Sequence, residues 1–328
     1  MNDDRNVVAL IGEDLSRAEV LRNGAPDVVG MLRIKSVNDT LKDAQLRPDS
    51  KSLWLNLWYE GEVCCLFSDS NLGKSIYAVQ IGDYIAQTQN VLYFDFELSD
   101  KQFQLRYTDG AGNLHRFSDR FYRAEIDKDF LDTGNFEDTI ISNIEDTALQ
   151  TGAKVIIIDN LTWLCCNSEK GDDAGLFMKR LMVLKKKHDL SMLIIAHTPK
   201  RNLSSPISPN DLAGSKKLYN FFDSSFAIGQ SAKDVGLRYI KQMKIRHGEF
   251  VYDADNVIVC QIEKNEAFLR FSSLGFATER EHLKRQTEDE VSQDLASVRE
   301  MAQRGLSVRD IAKCLNMSKS KVQRLLKK

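Results

Sequence analysis

The residues best suited to chemistry lie between positions 61 and 75. There Gly61-Glu-Val-Cys-Cys-Leu-Phe-Ser-Asp-Ser-Asn-Leu-Gly-Lys-Ser75 passes from an apolar run through a polar turn into a helical pattern from Ile76 to Thr88. Ser68, Asp69, Ser70, Asn71, Leu72, Gly73, Lys74 and Ser75 match the phosphate-loop pattern G-x-x-x-x-G-K-[ST], except that Ser68 stands where the pattern has glycine. The residue types explain themselves. Free backbone N–H groups at a helix start, Ile76 included, favour a phosphate. Gly73 permits a tight turn against the ligand. Lys74 supplies a cation for β- and γ-phosphates, and the Ser75 hydroxyl supplies an oxygen for a magnesium ion, so ATP and Mg2+ are the expected cofactors. The plain alternative is an ordinary strand–turn–helix, because Gly-Lys-Ser also arises by chance. The downstream residues decide between the two.

Three further strand-like runs end in polar groups. Lys154-Val-Ile-Ile-Ile-Asp159-Asn160 ends a β-branched run in a carboxylate suited to holding Mg2+, the alternative being a turn cap. Val91-Leu-Tyr-Phe-Asp-Phe-Glu97 puts Glu97 just past a strand end, where a carboxylate can polarise an attacking water. Asp95 falls within that strand and reads as structural. Met192-Leu-Ile-Ile-Ala-His197 ends in an imidazole placed to sense the γ-phosphate, or simply to close the strand.

Such groups converge only if the strands that carry them are neighbours with a shared direction. Apolar runs at Val63–Ser68, Val91–Phe96, Lys154–Asp159 and Met192–His197 are continuous rather than alternating, as expected of parallel strands covered on both faces. They alternate with helical patterns, and further strands are expected at Ser224–Ile228, Tyr239–Arg246, Val257–Ile262 and Ala267–Phe271, so the fold class is α/β. The expected organisation is an N-terminal arm (1–35), a core (36–277), a charged linker (278–292) and a small C-terminal unit (293–328). The arm is expected to hold a short helix from Asp14 to Arg22.

The chain has 328 residues and a net charge of −2, which excludes a wholly basic nucleic-acid binder and confines such contacts to local patches. Its six cysteines include two adjacent pairs and no C-x-x-C spacing, which fits a reducing cytoplasm and not a zinc site. No signal peptide and no membrane span is expected.

Taken in order, these motifs resemble the RecA-like ATPase core over about residues 48–275. The likeness is nearest to the plasmid RepA-type hexameric helicases, then to the DnaB-type replicative helicases and KaiC. The resemblance implies a three-layer core with a mostly parallel sheet, nucleotide shared between subunits, and a hexameric ring. It casts Glu97 as the catalytic carboxylate, followed by Gln102 and Arg106, Asp159 as the Walker B residue, and Ala196-His197-Thr-Pro-Lys200 as the His-x-x-Lys element. Lys244 and Arg246, in Lys244-Ile-Arg246-His-Gly248, resemble cations that reach a neighbour's nucleotide; a solvated strand face is the alternative. Two loops, 164–173 and 200–210, would face DNA in a ring, with Lys200 and Arg201 on phosphates; a plain surface loop is the alternative.

The C-terminal unit reads as three short helices. Leu295, Val298, Met301 and Ala302 form one stripe, Gly305 ends that helix, Ser307 caps the second and Ser318 the third. The pattern resembles the resolvase and sigma-factor helix-turn-helix. Lys319, Ser320, Lys321, Gln323 and Arg324 would face DNA, with Gln323 as base reader. A protein-contact module is the alternative. The expectation is an ATP-driven, DNA-binding replication ATPase or helicase of a plasmid or mobile element. The competing readings are an ATP-switched regulator or recombination mediator that does not unwind DNA, and a non-catalytic DNA-binding regulator with a decayed nucleotide site.

Overall fold

The computed structural model describes residues 27–30, 32–127, 136–164, 172–198, 201–212, 216–284, 288–315, 317 and 319–327. The expected helix at Asp14–Arg22, Lys200, Ser318 and the centre of the 164–173 loop lie outside them. The chain divides into two compact units, 1–51 and 52–328. In the first, β1 (Asp27–Val29) and β2 (Leu32–Ile34) pair antiparallel and precede helix α1 (Val37–Gln45), whose N-terminus is capped by Ser36.

The second unit is built on one large sheet. Its nine strands are β5 (Val63–Ser68), β6 (Val91–Asp95), β7 (Phe121–Ala124), β8 (Val155–Asp159), β9 (Ser191–His197), β10 (Ser224–Gln230), β11 (Leu237–Lys244), β12 (Val257–Asn265) and β13 (Phe268–Ala277). They lie in the order β13-β12-β11-β10-β5-β9-β8-β6-β7. From β10 to β7 every pairing is parallel, and β11 to β13 extend the sheet as an antiparallel meander. A separate short pair, β3 (Ser52–Trp54) and β4 (Trp58–Tyr59), precedes it.

Strand period explains the layering. Val63, Cys65 and Phe67 point to one face with Ile156, Ile158, Met192 and Ile194, where they meet α4 (Phe136–Thr151) and α6 (Asp172–His188). Cys64 and Leu66 point to the other face with Tyr93, Ile157 and Ile195, under α2 (Lys74–Ala86). Each fully buried aliphatic side chain contributes about 1.5–3 kcal/mol, so the four central strands anchor the fold from both sides. Burial also pushes the Cys64 and Cys65 thiols upward, leaving them as packing groups. The result is the expected α/β three-layer, RecA-like core.

Short helices α3 (Asp100–Arg106), α5 (Leu161–Leu164) and α7 (Lys216–Tyr219) occupy connections. The C-terminal helices are α8 (Glu288–Gln303), α9 (Val308–Cys314) and α10 (Lys319–Leu326). They enclose their own small core of Val298, Ile311, Ala312, Val322 and Leu325. Among the described residues no helix is long and apolar enough to cross a membrane.

The stretch after β13, expected as a charged linker, is in part packed against the core. Residues 279–282 form a 3-10 turn with Glu279 and His282 buried. Glu279 receives Lys241 Nζ at 2.6 Å and the Ile207 N–H at 2.7 Å, while His282 Nδ1 meets Ser231 Oγ at 2.8 Å. A charged stretch is normally solvated, but here the Glu279 carboxylate is neutralised by a lysine from β11.

Candidate nucleotide site

Parallel pairing brings the ends of β5, β9, β8 and β6 to one edge of the sheet. Ser68 is level with His197, and Asp95 with Asp159. The loop after β5 turns into α2 through Gly73 at φ +94°, a left-handed value suited to glycine. A Cβ there would lie 2.6 Å from Ile262 Cδ1 and 3.0 Å from the Phe271 ring, so packing as well as φ demands glycine. No side chain caps the start of α2, so its first-turn N–H groups stay available to an anion.

Lys74 Nζ lies inside this loop, donating to Ser68 O (3.0 Å), Ser68 Oγ (3.3 Å) and Asp69 O (2.9 Å). Burial lowers its ammonium to about 8, opposed by the carboxylates of Asp159, Glu97 and Asp69. Asp69 in turn accepts from Thr198 Oγ1 at 2.8 Å. Asp159 is buried, and desolvation raises its carboxyl to about 6 against bonds from Ser75 and from Tyr93, whose hydroxyl lies 2.7 Å away. The serine and aspartate expected to hold a metal are therefore already hydrogen-bonded to each other. Among the described residues no group of three or more His, Cys, Asp or Glu could hold an ion unaided. Two protein oxygens suit Mg2+, which takes its remaining ligands from phosphate and water. The loop geometry and this pair thus fit Mg-ATP.

Glu97 stands beside them. Its Oε1 contacts Asn160 Nδ2, and His197 Nε2 lies 3.3 Å from the same oxygen and 3.1 Å from Asn160 Nδ2. The hydrogen bond with His197, then the charges of His197, Lys74 and Arg106, hold the Glu97 carboxyl below its ordinary range despite burial. The carboxylate is thus kept ionised. Lys74, Ser75, Glu97, Asp159 and His197 lie together at one edge of the sheet, linked by hydrogen bonds and by their charges. Asn160, which follows Asp159, was not singled out from sequence; its position directly after a strand-terminal Asp was the available signal.

Other expected residues stand elsewhere. Lys244 and Arg246 lie toward the amino ends of the parallel strands, since Lys244 pairs with Ser225 near the start of β10. Strand β11 ends at Lys244, so Arg246 falls beyond it. Lys244 Nζ lies 3.3 Å from Tyr219 O and 5.2 Å from the Tyr219 ring centroid. Arg246 pairs with Asp223 at 3.0 Å, and Asp223 also takes Lys185 and the Val63 N–H, both at 2.9 Å. Neither cation belongs to this chain's own phosphate loop.

Two expected DNA contacts need correction. The Arg201 side chain is only 9% exposed; it pairs with Asp211 at 3.2 Å and donates to Ser205 O, so it braces its own loop. Lys321 pairs with Asp294 of α8 at 2.7 Å and is 13% exposed, which takes it out of the solvent face of α10. The helical spacing had placed it outward, but the acidic partner one helix away draws it in. Lys319, Gln323 and Arg324 are exposed. Ser320 is a position of α10 whose side chain is outside the described residues.

No curated protein sequence matches the chain. Among solved structures, a KaiC-like protein from the hyperthermophilic archaeon Pyrococcus horikoshii superposes with a TM-score of 0.48 at 11% identity, over 66% of this chain and 91% of that one. The fold assignment itself rests on strand order and pairing. The family model described as AAA domain matches residues 31–202, more than half of the sequence and a span that includes the phosphate loop, Glu97, Asp159 and His197. With a phosphate loop on β5 and carboxylates at the ends of β6 and β8, the chain belongs to the AAA domain family of P-loop ATPases.

Proposed function

We propose that this chain is a cytoplasmic ATPase that works as a hexameric ring of copies and couples ATP hydrolysis to DNA in the manner of a replication helicase. The observation that carries the reading is the meeting of Lys74, Ser75, Asp159, Glu97 and His197 at one sheet edge. Bound Mg-ATP would supply a γ-phosphoryl group open to attack by water. Lys74 would exchange its loop carbonyls for phosphate oxygens, and Ser75 and Asp159 would hold the metal. Glu97, kept ionised, would orient a water and accept its proton, a role worth about 10²- to 10⁴-fold. His197 is within reach of Glu97 and would register the state of the γ-phosphate.

Lys244 and Arg246 lack a role at this chain's own loop, which supports their action on a neighbour's nucleotide. A cation supplied in trans is worth about 10³- to 10⁵-fold in such reactions. The three-helix C-terminal unit, with Lys319, Gln323 and Arg324 exposed on α10, fits a helix-turn-helix tether to duplex DNA.

The test compares ATP turnover of wild type and Glu97→Gln, each with no DNA, single strands and duplex. The expected result is DNA-stimulated turnover in the wild type and a loss of at least about 100-fold in the variant, with nucleotide binding kept. Equal turnover in the two proteins refutes the assignment of Glu97. A strand-displacement assay separates the motor from an ATP-switched regulator, which would hydrolyse ATP without displacing a strand.

A further inference from the structure

The carboxylate of Glu97 projects from a short turn between β6 and α3, and that turn is gripped from the edge of the sheet. Asp95, the last residue of β6, accepts the Glu97 N–H at 3.1 Å and the Leu98 N–H at 2.9 Å on its Oδ1. Its Oδ2 accepts Arg123 Nε at 3.0 Å. Arg123 belongs to β7, the outermost parallel strand, where it is level with Tyr93. The other two nitrogens of its guanidinium reach onward. One donates to Asp100 at 2.6 Å, and the other to the Leu98 carbonyl at 2.5 Å and to Glu125 at 3.0 Å. The Phe103 ring covers the group, with its centroid 5.2 Å from Cζ. One planar fork thus ties the end of β6, the turn and the first turn of α3 to the edge strand.

We propose that Arg123, acting through Asp95, is a positioning residue that fixes where the Glu97 carboxylate stands; the inference rests on the reading of Glu97 as the water-orienting base. The two N–H groups held by Asp95 set the direction of the turn. The bond to Leu98 O sets its height above the sheet. Without the fork the turn keeps its Ser99 cap, made through Gln102, and so remains a turn. What it loses is registration against Asn160 and His197. A lysine cannot substitute, because a single ammonium cannot reach Asp95, Leu98 O and Asp100 together in this geometry. A misplacement of about 1 Å at a catalytic group costs on the order of 100-fold.

The test is steady-state ATP turnover and binding of a non-hydrolysable ATP analogue for Arg123→Lys, Arg123→Gln, Asp95→Asn, Glu97→Gln and the double variant Arg123→Lys/Glu97→Gln. Arg123→Lys is expected to lower kcat by about 10- to 100-fold while analogue affinity and KM change less than about 3-fold. Its effect should vanish in the Glu97→Gln background, since a positioning residue has nothing left to position. Analogue binding reports that each variant is folded, and Asp95→Asn probes the clamp from its other end should Arg123→Gln not fold. Unchanged kcat in Arg123→Lys, equal losses of kcat and affinity, or a full further loss in the double variant would each overturn the proposal. Glu97→Gln turning over like wild type defeats the assignment of Glu97 itself, and is read from that single variant alone.

Discussion

Lys74 offers a way to test the site without measuring catalysis. Its ammonium is enclosed by the loop, and burial brings its pKa from 10.5 down to about 8 in the folded chain. In the unfolded chain the same group keeps its ordinary value of about 10.4. Below pH 8 both states carry the proton, so no slope arises. Between pH 8 and 10.5 the unfolded chain binds a proton that the folded chain has released, and stability therefore rises with pH. The gain accrues within that window and amounts to about 1 kcal/mol between pH 7 and pH 9. Denaturant unfolding at both pH values, for wild type and Lys74→Met, isolates the contribution of this site, because titrations remote from it cancel in the difference. The wild type should gain about 1 kcal/mol relative to the variant on moving to pH 9. A saturating phosphate ligand should raise the pKa of Lys74 again. Affinity for an ATP analogue should consequently fall by up to about 10-fold per pH unit above 8, with proton uptake on binding. Identical pH profiles in the two proteins would refute a buried Lys74 ammonium, and with it the enclosed phosphate loop.

Asp159 titrates in the opposite range. Burial raises its carboxyl to about 6, and only the ionised form can hold Mg2+, so the apparent affinity for Mg2+ in the presence of ATP should weaken as pH falls through 6. A metal titration at pH 7.5 and 5.5 checks this, and equal affinities would count against it. Gly73→Ala places a methyl group against Ile262 and Phe271 at a positive φ; it should cost about 1–3 kcal/mol of stability and abolish nucleotide binding, as read by calorimetry. On duplex DNA, Lys319→Ala and Arg324→Ala should each reduce the salt slope of binding by about 1, whereas Arg201→Ala should leave it unchanged.

The central strands were legible because buried parallel strands need unbroken apolar runs, and Val63–Ser68 and Val155–Asp159 consist of little else. The polar residues that end them were legible for the same reason, since a charge at the close of such a run stands out. Strand β7 was not. Phe121-Tyr-Arg-Ala is short, carries a charge and lies at the edge of the parallel set, so no period marks it. With β7 unseen, the clamp made by Arg123 was unseen too. The pairing of Lys321 with Asp294 and of Lys241 with Glu279 escaped notice because each joins residues 27 or 38 positions apart. Composition reports that charges exist; only tertiary contact decides which of them neutralise one another. The Gln80 side chain is a similar case. From α2 it both donates to and accepts from the Phe271 backbone on β13, a contact 191 residues apart that ties the antiparallel meander to the phosphate-loop helix.

The two edges of the parallel strands are chemically unlike. One gathers the phosphate loop with its carboxylates, and the other ends near Lys244, Arg246 and Asp223. If Lys244 and Arg246 act on a neighbour's nucleotide, as proposed, such a molecule can share a site with a copy of itself only by queuing, front against back. Two-fold pairing would then bring like edges together and leave the cations of one copy away from the phosphate loop of the other. Queuing has no natural end unless the turn from each copy to the next divides a full circle, so the choice between a closed ring and an open thread falls to that single angle.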